Sequence, residues 1–330
     1  MSEVRNLQPT KVQDLWFTVL RWFDSWAGLE HMKTDGIPKM DWLRCIPIIA
    51  VHVMCLGVIW VGASWTAVSV AIAFYFVRMF AITGWYHRYF SHRTFKTSRA
   101  VQFAFAVLGG SCAQRGPLWW AGHHRHHHIA SDSPDDVHSP RQGFLWSHIG
   151  WFTSQTHFAP RLKGIADFAK YPELRFLDRF DILVPTLAGF AMFGFGKLLE
   201  VYAPQLGTNG PQMLIWGFFI STVALVHGTC TINSLSHVYG SQRYDTGDDS
   251  RNNFLLALIT MGEGWHNNHH YYPASTSQGF YWWEIDMTYY CLKAMEWLGL
   301  VWDIREVPVY VREQKRKPES IAGTLSAAEG

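Results

Sequence analysis

The sequence predicts an all-α membrane protein, in which four transmembrane helices form two hairpins and a cytoplasmic helical cap carries a histidine-rich metal site. Two observations lead to this fold class. Four apolar stretches approach the roughly 20 residues that a helix needs to cross a bilayer. Three histidine clusters accompany them in a chain of 330 residues that is 48% hydrophobic and 16% aromatic.

The four apolar stretches are paired along the chain. Their approximate bounds are 46–64, 66–83, 182–199 and 213–232. Only a short turn around Gly62 separates the first two, which predicts a tight helical hairpin, and the Pro- and Gly-rich segment APQLGTNGPQ joins the last two as a loop. We expect one membrane domain over residues 1–312 and a disordered tail over residues 313–330.

Lys and Arg are unevenly distributed among the connecting segments. Neither loop that joins a pair of stretches contains Lys or Arg, whereas the segment between the pairs is rich in both. By the positive-inside rule, the termini, the central segment and all histidine clusters lie on the cytoplasmic side. We expect a bacterial inner membrane, with the endoplasmic reticulum as the alternative. A formal net charge of +2 gives no indication of nucleic-acid binding.

The histidine clusters are HRYFSH at 87–92, HHRHHH at 123–128 and HNNHH at 266–270. The last two share the pattern HxxHH, which on a helix points three imidazoles to one side. His87 and His92 are five residues apart, a spacing that fits a helix end turning into a loop. Imidazole is the commonest nitrogen ligand of redox metals, so the clusters predict iron. The alternative, a solvated histidine-rich tract, would not repeat one helical spacing in distant segments.

The order of stretches and motifs resembles the integral-membrane fatty acyl desaturases, and among them the acyl-CoA delta-9 (stearoyl-CoA desaturase-like) branch. The resemblance extends from about Trp42 to Val307. It rests on HRYFSH, HHRHHH, SPRQGFLWSHIGW at 139–151, NSLSHVYGSQRYD at 233–245 and GEGWHNNHHYYP at 262–273.

This resemblance implies two iron ions held by nine histidines, with dioxygen as the co-substrate. The implied ligands are His87, His92, His124, His127, His128, His237, His266, His269 and His270. Asn233, the asparagine of the NSLSH motif, would reach one iron through a water molecule. Asn233 and His237 are four residues apart and therefore share a helix face. How the ligands divide between the two irons stays open at this point.

Other polar residues are candidates for supporting roles. Metal-bound histidines usually donate their second ring nitrogen to a carboxylate or carbonyl. The candidate carboxylates are Glu263, Asp132, Asp136, Asp245 and Asp248, for which the alternative is an ordinary loop or cap role. His52 lies inside the first apolar stretch, where we expect a hydrogen bond within the helical bundle.

The resemblance implies a reaction that introduces a cis double bond, at the delta-9 position, into a long-chain acyl substrate. A saturated chain has no polar group near its middle that the enzyme could bind. The position of the double bond must therefore depend on how the whole chain is held beside the metal site. The family motifs make Gln114, Trp120 and Trp151 candidates for substrate contact, with interfacial Trp packing as the alternative. We expect the closed end of a tunnel at Ala71 and Tyr75, on the second stretch.

The sequence departs from the family at the carrier-binding positions. Animal acyl-CoA desaturases carry an Arg–Asp pair before the second cluster and a basic pair after the GW motif. This chain has Gly122–His123 and Phe152–Thr153–Ser154 there. Acyl-CoA is the expected carrier, and a carrier protein or a lipid stays open. The haem-binding motif HPGG is absent, so we expect a separate electron donor: a cytochrome b5-like protein, a ferredoxin or a rubredoxin.

Two other functions fit part of the pattern. A hydroxylase or an alkane-monooxygenase-type oxygenase could use the same histidine cage, and product analysis would distinguish it. A metal transporter would hold its ligands near mid-membrane on broken helices, whereas the clusters here lie at the ends of the apolar stretches.

Overall fold

The computed structural model describes residues 11–32 and 38–314 of the chain. Helices dominate these residues, and the one sheet among them pairs the short strands Lys96–Thr97 and Val301–Trp302 antiparallel. Glu313 ends a short helix, and the rest of the predicted tail, residues 315–330, lies outside the described residues.

Four helices are long and apolar enough to cross a membrane, which confirms the predicted fold class. We call them spans 1 to 4, and their bounds are Trp42–Val61, Trp65–Ser91, Leu183–Tyr202 and Gly210–His237. Spans 2 and 4 continue well beyond their apolar stretches, and each ends within a histidine motif. The membrane anchors therefore carry part of the histidine site themselves.

Within each hairpin, the second span begins at a polar helix cap, and a glycine turn joins the first two spans. The Ser64 hydroxyl accepts a hydrogen bond from the backbone N–H of Ala67 (3.1 Å) at the start of span 2. Gly62 has a φ of 63°, a left-handed conformation that glycine adopts without steric cost. The Asn209 side chain accepts from the N–H of Gln212 (2.9 Å) and starts span 4 in the same way.

The last turns of span 2 are wound more widely than an α-helix. Ala81–Ser91 is a π-helix, whose hydrogen bonds join residues five apart. This winding continues the helix through the segment for which the spacing predicted a helix end, and His92 follows as its C-cap. The N–H of His92 donates to the carbonyl of His87 (3.2 Å), so the two histidines are brought close together.

Shorter helices form a cap around the ends of spans 2 and 4. We call Pro117–Ala130 the first histidine helix and His266–Tyr271 the second. The other α-helices outside the spans are Lys11–Leu20, Arg99–Gly110, Ala166–Ala169, Pro172–Arg179, Phe254–Ile259, Met287–Trp297 and Val309–Glu313. Single turns of 3₁₀-helix are Leu29–His31, Pro140–Gln142, Trp151–Thr153, Gln155–His157, Leu162–Ile165 and Pro204–Leu206, and Trp146–Gly150 is a short π-helix.

The largest hydrophobic core lies between the end of span 2 and the cap. Trp85 is fully buried and stacks on Phe105 with ring centroids 4.1 Å apart. Gly109 lets Tyr86 approach, because a Cβ there would lie 2.2 Å from its ring. Burying each large side chain contributes about 1.5–3 kcal/mol, so this core fixes span 2 against the first histidine helix.

Candidate metal centre and substrate cavity

The nine predicted histidines assemble into two groups, and the ligand-type nitrogens of each group lie within 4.8 Å of one another. The five-histidine group contains His87, His92, His124, His128 and His269. The four-histidine group contains His127, His237, His266 and His270. Both histidine helices contribute to both groups, because adjacent residues of a helix diverge by about 100°.

In the five-histidine group, ring nitrogens face one another. The Nε2 atoms of His92 and His128 lie 2.9 and 3.0 Å from that of His124, and the Nε2 atom of His269 lies 3.0 Å from those of His87 and His128. Burial, reinforced by the neighbouring histidines, holds the pKa of His92, His124, His128 and His269 well below its usual value. These imidazoles are therefore neutral near pH 7, the form that binds metals.

In the four-histidine group, carboxylates fix the tautomers. The Nδ1 donors and their acceptors are His127 with Asp136 (3.0 Å), His237 with Asp132 (2.8 Å) and His270 with Asp248 (2.6 Å). A carboxylate only accepts, so each Nδ1 carries the hydrogen and each Nε2 keeps a lone pair. The Nε2 atoms of His127 and His270 are buried with no hydrogen-bond partner among the described residues. A bound cation would satisfy these lone pairs.

The carboxylates themselves are held ionised. Although burial raises the pKa of Asp132, the hydrogen bond and the charge of His237, together with hydrogen bonds from Ser139 and the backbone of Asp249, outweigh it, and the pKa falls well below the usual range. The Asp136 pKa is lowered in the same way by His127, and the Asp248 pKa by His270. In the five-histidine group, Glu263 contacts Nδ1 of His87.

Asparagines between the histidines of HNNHH anchor the second histidine helix. Asn268 donates to a carboxylate oxygen of Glu284 (2.9 Å) and to the carbonyl of Gln278 (3.0 Å). The side-chain oxygen of Asn267 accepts from the N–H of Arg243 and of Tyr244, both at 2.8 Å. No sequence motif indicated a role for these buried asparagines, and the only sign of one was that they alternate with the histidines of HNNHH.

A cavity of about 730 Å³ adjoins the five-histidine group. Spans 1, 3 and 4 form its membrane part, with Val51, Phe190 and Val226 among the apolar lining. Trp120 and His124 line it next to the histidines, and their rings stack with centroids 5.1 Å apart. Ligand pockets usually measure about 300–1,000 Å³ and are mainly apolar, so this cavity has the size and character of a ligand pocket.

Comparison with known proteins identifies the family. The fatty acid desaturase family model matches residues 63–302, which is most of the chain. The chain belongs to the fatty acid desaturase family. It is 35% identical to an acyl-CoA 5-desaturase of Anemone leveillei over 305 residues, covering 88% of this chain and 90% of that protein. The chain is therefore an enzyme, a fatty acyl desaturase, as the sequence predicted.

Other relatives are named for lipid substrates. The sn-1 stearoyl-lipid 9-desaturase of Anabaena variabilis is 33% identical over 279 residues, 83% of this chain and 97% of that protein. The chloroplastic palmitoyl-monogalactosyldiacylglycerol delta-7 desaturase of Arabidopsis thaliana is 34% identical over 280 residues, 84% of this chain and 71% of that protein. The names of these relatives include three double-bond positions and both carrier types.

Three of the five predicted substrate residues line the desaturase cavity. They are Gln114, Trp120 and Trp151. Gln114 donates to the Thr229 hydroxyl (3.0 Å), which links the segment before the first histidine helix to span 4. Asn233, the predicted water-mediated ligand, is half-buried and also lines the cavity.

Ala71 and Tyr75 are not among the described residues that line this cavity, so a tunnel end on span 2 stays a prediction. The Tyr75 hydroxyl donates to the carbonyl of Ile259 (2.7 Å), and a Cβ on Gly228 would lie 2.7 Å from its oxygen. Span 2 therefore packs on a face of span 4 that turns away from the cavity, and the depth of Tyr75 below His87 did not reveal this orientation.

A chain of three histidines crosses the bundle beside the cavity. Nε2 of His52 lies 3.0 Å from Nε2 of His227, whose Nδ1 lies 2.9 Å from Nε2 of His148. The far nitrogen of His148 lies 2.9 Å from the Ser234 hydroxyl. His52 thus has the hydrogen bond within the bundle that its mid-span position predicted. Its partners come from separate segments, so spacing along the sequence could not identify them.

Proposed function

We propose that this desaturase is a dioxygen-dependent di-iron enzyme that introduces a cis double bond at the delta-9 position of a long-chain acyl substrate. Acyl-CoA is the expected carrier and an acyl lipid the alternative. The observation that carries the proposal is the shared wall between the cavity and the five-histidine group, formed by Trp120 and His124. An acyl chain in this cavity would pass directly beside the group.

The donor set fits two iron ions. The groups offer five and four imidazoles, and the buried Nε2 atoms of His127 and His270, which have no hydrogen-bond partner among the described residues, support a cation at the four-histidine group. All nine histidines would act as ligands, and Asn233, on the cavity wall, would hold a water molecule toward one iron. When bound, the irons with dioxygen and two electrons would supply the oxidation that removes hydrogen from two adjacent methylenes.

The protein's own residues would position the substrate and exclude water. The cavity lining on spans 3 and 4 repeats at helical spacing, as in Pro185, Gly189 and Phe193, so one apolar stripe follows the acyl chain into the membrane. Trp120, held by its stack on His124, would fix the chain next to the five-histidine group. Positioning of this kind decides which methylenes react.

The site would face the cytoplasm and take electrons from a separate donor. Spans 2 and 4 end in the histidine groups, and the segment between the two hairpins is basic, which supports a cytoplasmic cap. The donor would be a cytochrome b5-like protein, a ferredoxin or a rubredoxin. The bacterial inner membrane stays our proposal for the location.

Expression in a host of defined lipid composition tests this function. We expect new cis monounsaturated chains whose double bond, located by mass spectrometry of derivatised fatty acids, lies at position 9. A double bond at another position would overturn the delta-9 assignment, and a hydroxylated product would overturn desaturation. Unchanged fatty acids in cells whose protein contains two irons per chain would overturn the proposal as a whole.

A further inference from the structure

A group of cationic residues lines the cavity at the N-terminal end of span 1. Arg21, Arg44 and Arg115 all contribute to the wall, and Asp181 is the carboxylate that lines the cavity with them. Arg115 donates from Nε to Asp181 (2.6 Å), and Arg21 donates to the carbonyls of Ala27 and Gly28. Positive charge therefore exceeds negative charge at this end of an otherwise apolar cavity.

Arg44 is buried and has no carboxylate partner among the residues that the structure describes. It is the third residue of span 1 and only 7% exposed, and its Nε and Nη2 atoms have no hydrogen-bond partner among the described residues. The nearby Asp41 side chain accepts from the backbone N–H of Arg44 (3.2 Å), as a helix cap. Ionisable groups within membrane helices are costly and usually mark functional sites.

Arg115 has a free donor on the same wall. Its Nη2 atom donates to the carbonyl of Phe158 (3.2 Å), but Nη1 is buried with no partner among the described residues. The guanidinium carbons of Arg44 and Arg115 lie 3.0 and 4.6 Å from the centroid of the Phe158 ring. Two positively charged guanidinium groups thus contact one aromatic ring. An anion bound between them would weaken their electrostatic repulsion.

The cavity also reaches the lipid-facing surface. Phe190 of span 3 lines the cavity and is 71% exposed, although it lies in a membrane span. An acyl chain can therefore slide in from the bilayer while its polar head stays at the membrane surface, next to the start of span 1. The head of such a substrate would meet Arg44 and Arg115.

We propose that Arg44 and Arg115 bind a phosphate group in the polar head of the acyl substrate. This inference rests on the proposed function and specifies its substrate class as a phosphate-bearing acyl compound. The planar guanidinium offers paired donors that match phosphate oxygens, which a neutral sugar head would not satisfy. A phospholipid and acyl-CoA both carry this chemistry, and the experiment distinguishes them.

Binding of radiolabelled stearoyl compounds to the full-length protein in neutral detergent tests the inference. Measurements are anaerobic and without reductant, so that no turnover occurs. The probes are stearoyl phosphatidylglycerol, stearoyl-CoA and stearoyl monogalactosyldiacylglycerol. We expect Arg44→Gln and Arg115→Gln each to weaken binding of the preferred phosphate-bearing probe by about 10- to 100-fold, the effect of losing a charged hydrogen bond. Binding of the galactolipid should not change.

Arg99→Gln is the matched control, because Arg99 is exposed, pairs with Glu173 and does not line the cavity. This variant should bind all three probes like the wild type. Of the two phosphate-bearing probes, the one that binds with higher affinity identifies the acyl carrier. Equal binding of all three heads by the wild type, unchanged in both arginine variants, would overturn the inference.

Two further measurements keep the test decisive if Arg44→Gln or Arg115→Gln does not fold. Arg44→Lys keeps the charge and should retain more phosphate-head binding than Arg44→Gln. In the wild type, millimolar inorganic phosphate should displace the phosphate-bearing probes but not the galactolipid, and failure to do so would contradict the inference. If desaturation is normal but the affinity for the three probes does not depend on their polar heads, the phosphate site alone would be refuted. If the protein binds the phosphate-bearing probes through the two arginines but desaturates no substrate, the proposed function alone would be refuted.

Discussion

The two histidine groups differ in what surrounds them. The five-histidine group borders the cavity through His124, and among its members the structure shows a carboxylate contact for His87 alone, with Glu263. The four-histidine group contributes no residue to the cavity wall, and carboxylates hold three of its four imidazoles. Under the proposed function, the first group would meet the substrate and the second would hold its iron more firmly.

This difference follows from where the connecting segments place their carboxylates. Asp132 and Asp136 lie just after the first histidine helix, and Asp248 lies in the loop after span 4, so both loops fold back over the four-histidine group. The side of the five-histidine group toward the cavity is instead closed by Trp120. A polar carboxylate there would face an apolar chain, which is costly without a partner.

Removing a ligand from either group should have the largest effect. We expect His269→Ala and His237→Ala each to abolish desaturation, by more than about 100-fold, and to lower the iron content from two ions per chain to one. Iron analysis of purified protein and product analysis check this. His126→Ala is the control, because His126 lies beside ligand histidines on the first histidine helix but contacts the backbone carbonyl of Asp135. Full turnover with either ligand deleted would refute the paired site.

Removing a supporting carboxylate should affect the groups unequally. We expect Asp248→Asn to weaken iron binding at the four-histidine group by about 10- to 100-fold, the usual effect of losing the partner of a ligand histidine. Competition with a chelator measures this affinity. Asp249→Asn is the matched control, since its side chain pairs with Arg141 at the surface. Equal losses in both variants would show that Asp248 has no special role.

As the pH falls, the four-histidine group should be protonated before the five-histidine group. Burial lowers the pKa of His270 to about 4, although its hydrogen bond to Asp248 opposes the shift. An unfolded histidine takes up its proton near pH 6.5, so this residue's contribution to stability is complete above that pH and is lost as the pH falls towards 4. We expect both irons to be retained at about pH 6 and the four-histidine iron to be released near pH 4.

Iron content and spectroscopy across this pH range check the order of release. Loss of both irons at about pH 6 would contradict the lowered pKa of His269 and His270. Simultaneous release near pH 4 would remove the predicted difference between the groups.

The smallest effect concerns chain length. Phe218 is 6% exposed and lines the cavity, so Phe218→Ala should lengthen it and change the preference between acyl chains by about tenfold. Tyr75→Phe, which removes the hydrogen bond to Ile259, should leave the preference unchanged. Product profiles over several chain lengths distinguish the two. A shift with Tyr75→Phe alone would place the tunnel end on span 2, as the sequence predicted.

The sequence by itself determined the four spans, the nine histidines that come together and three of the cavity residues. Apolar stretches of span length and the spacing HxxHH are local patterns, and local geometry suffices to interpret them. Gln114, Trp120 and Trp151 were found because they lie within or beside the histidine motifs. The carboxylates near the motifs could be proposed for the same reason.

Only the tertiary structure decided how the histidines divide and where the cavity runs. His127 and His128 are neighbours in sequence, yet they belong to different groups, because the side of the helix that each faces depends on packing of the first histidine helix against span 2. Ala71 and Tyr75 lie on a span of the expected length, but span 2 turns that face towards span 4. Rotation of a helix about its own axis depends on contacts with distant segments, and no pattern within one span specifies it.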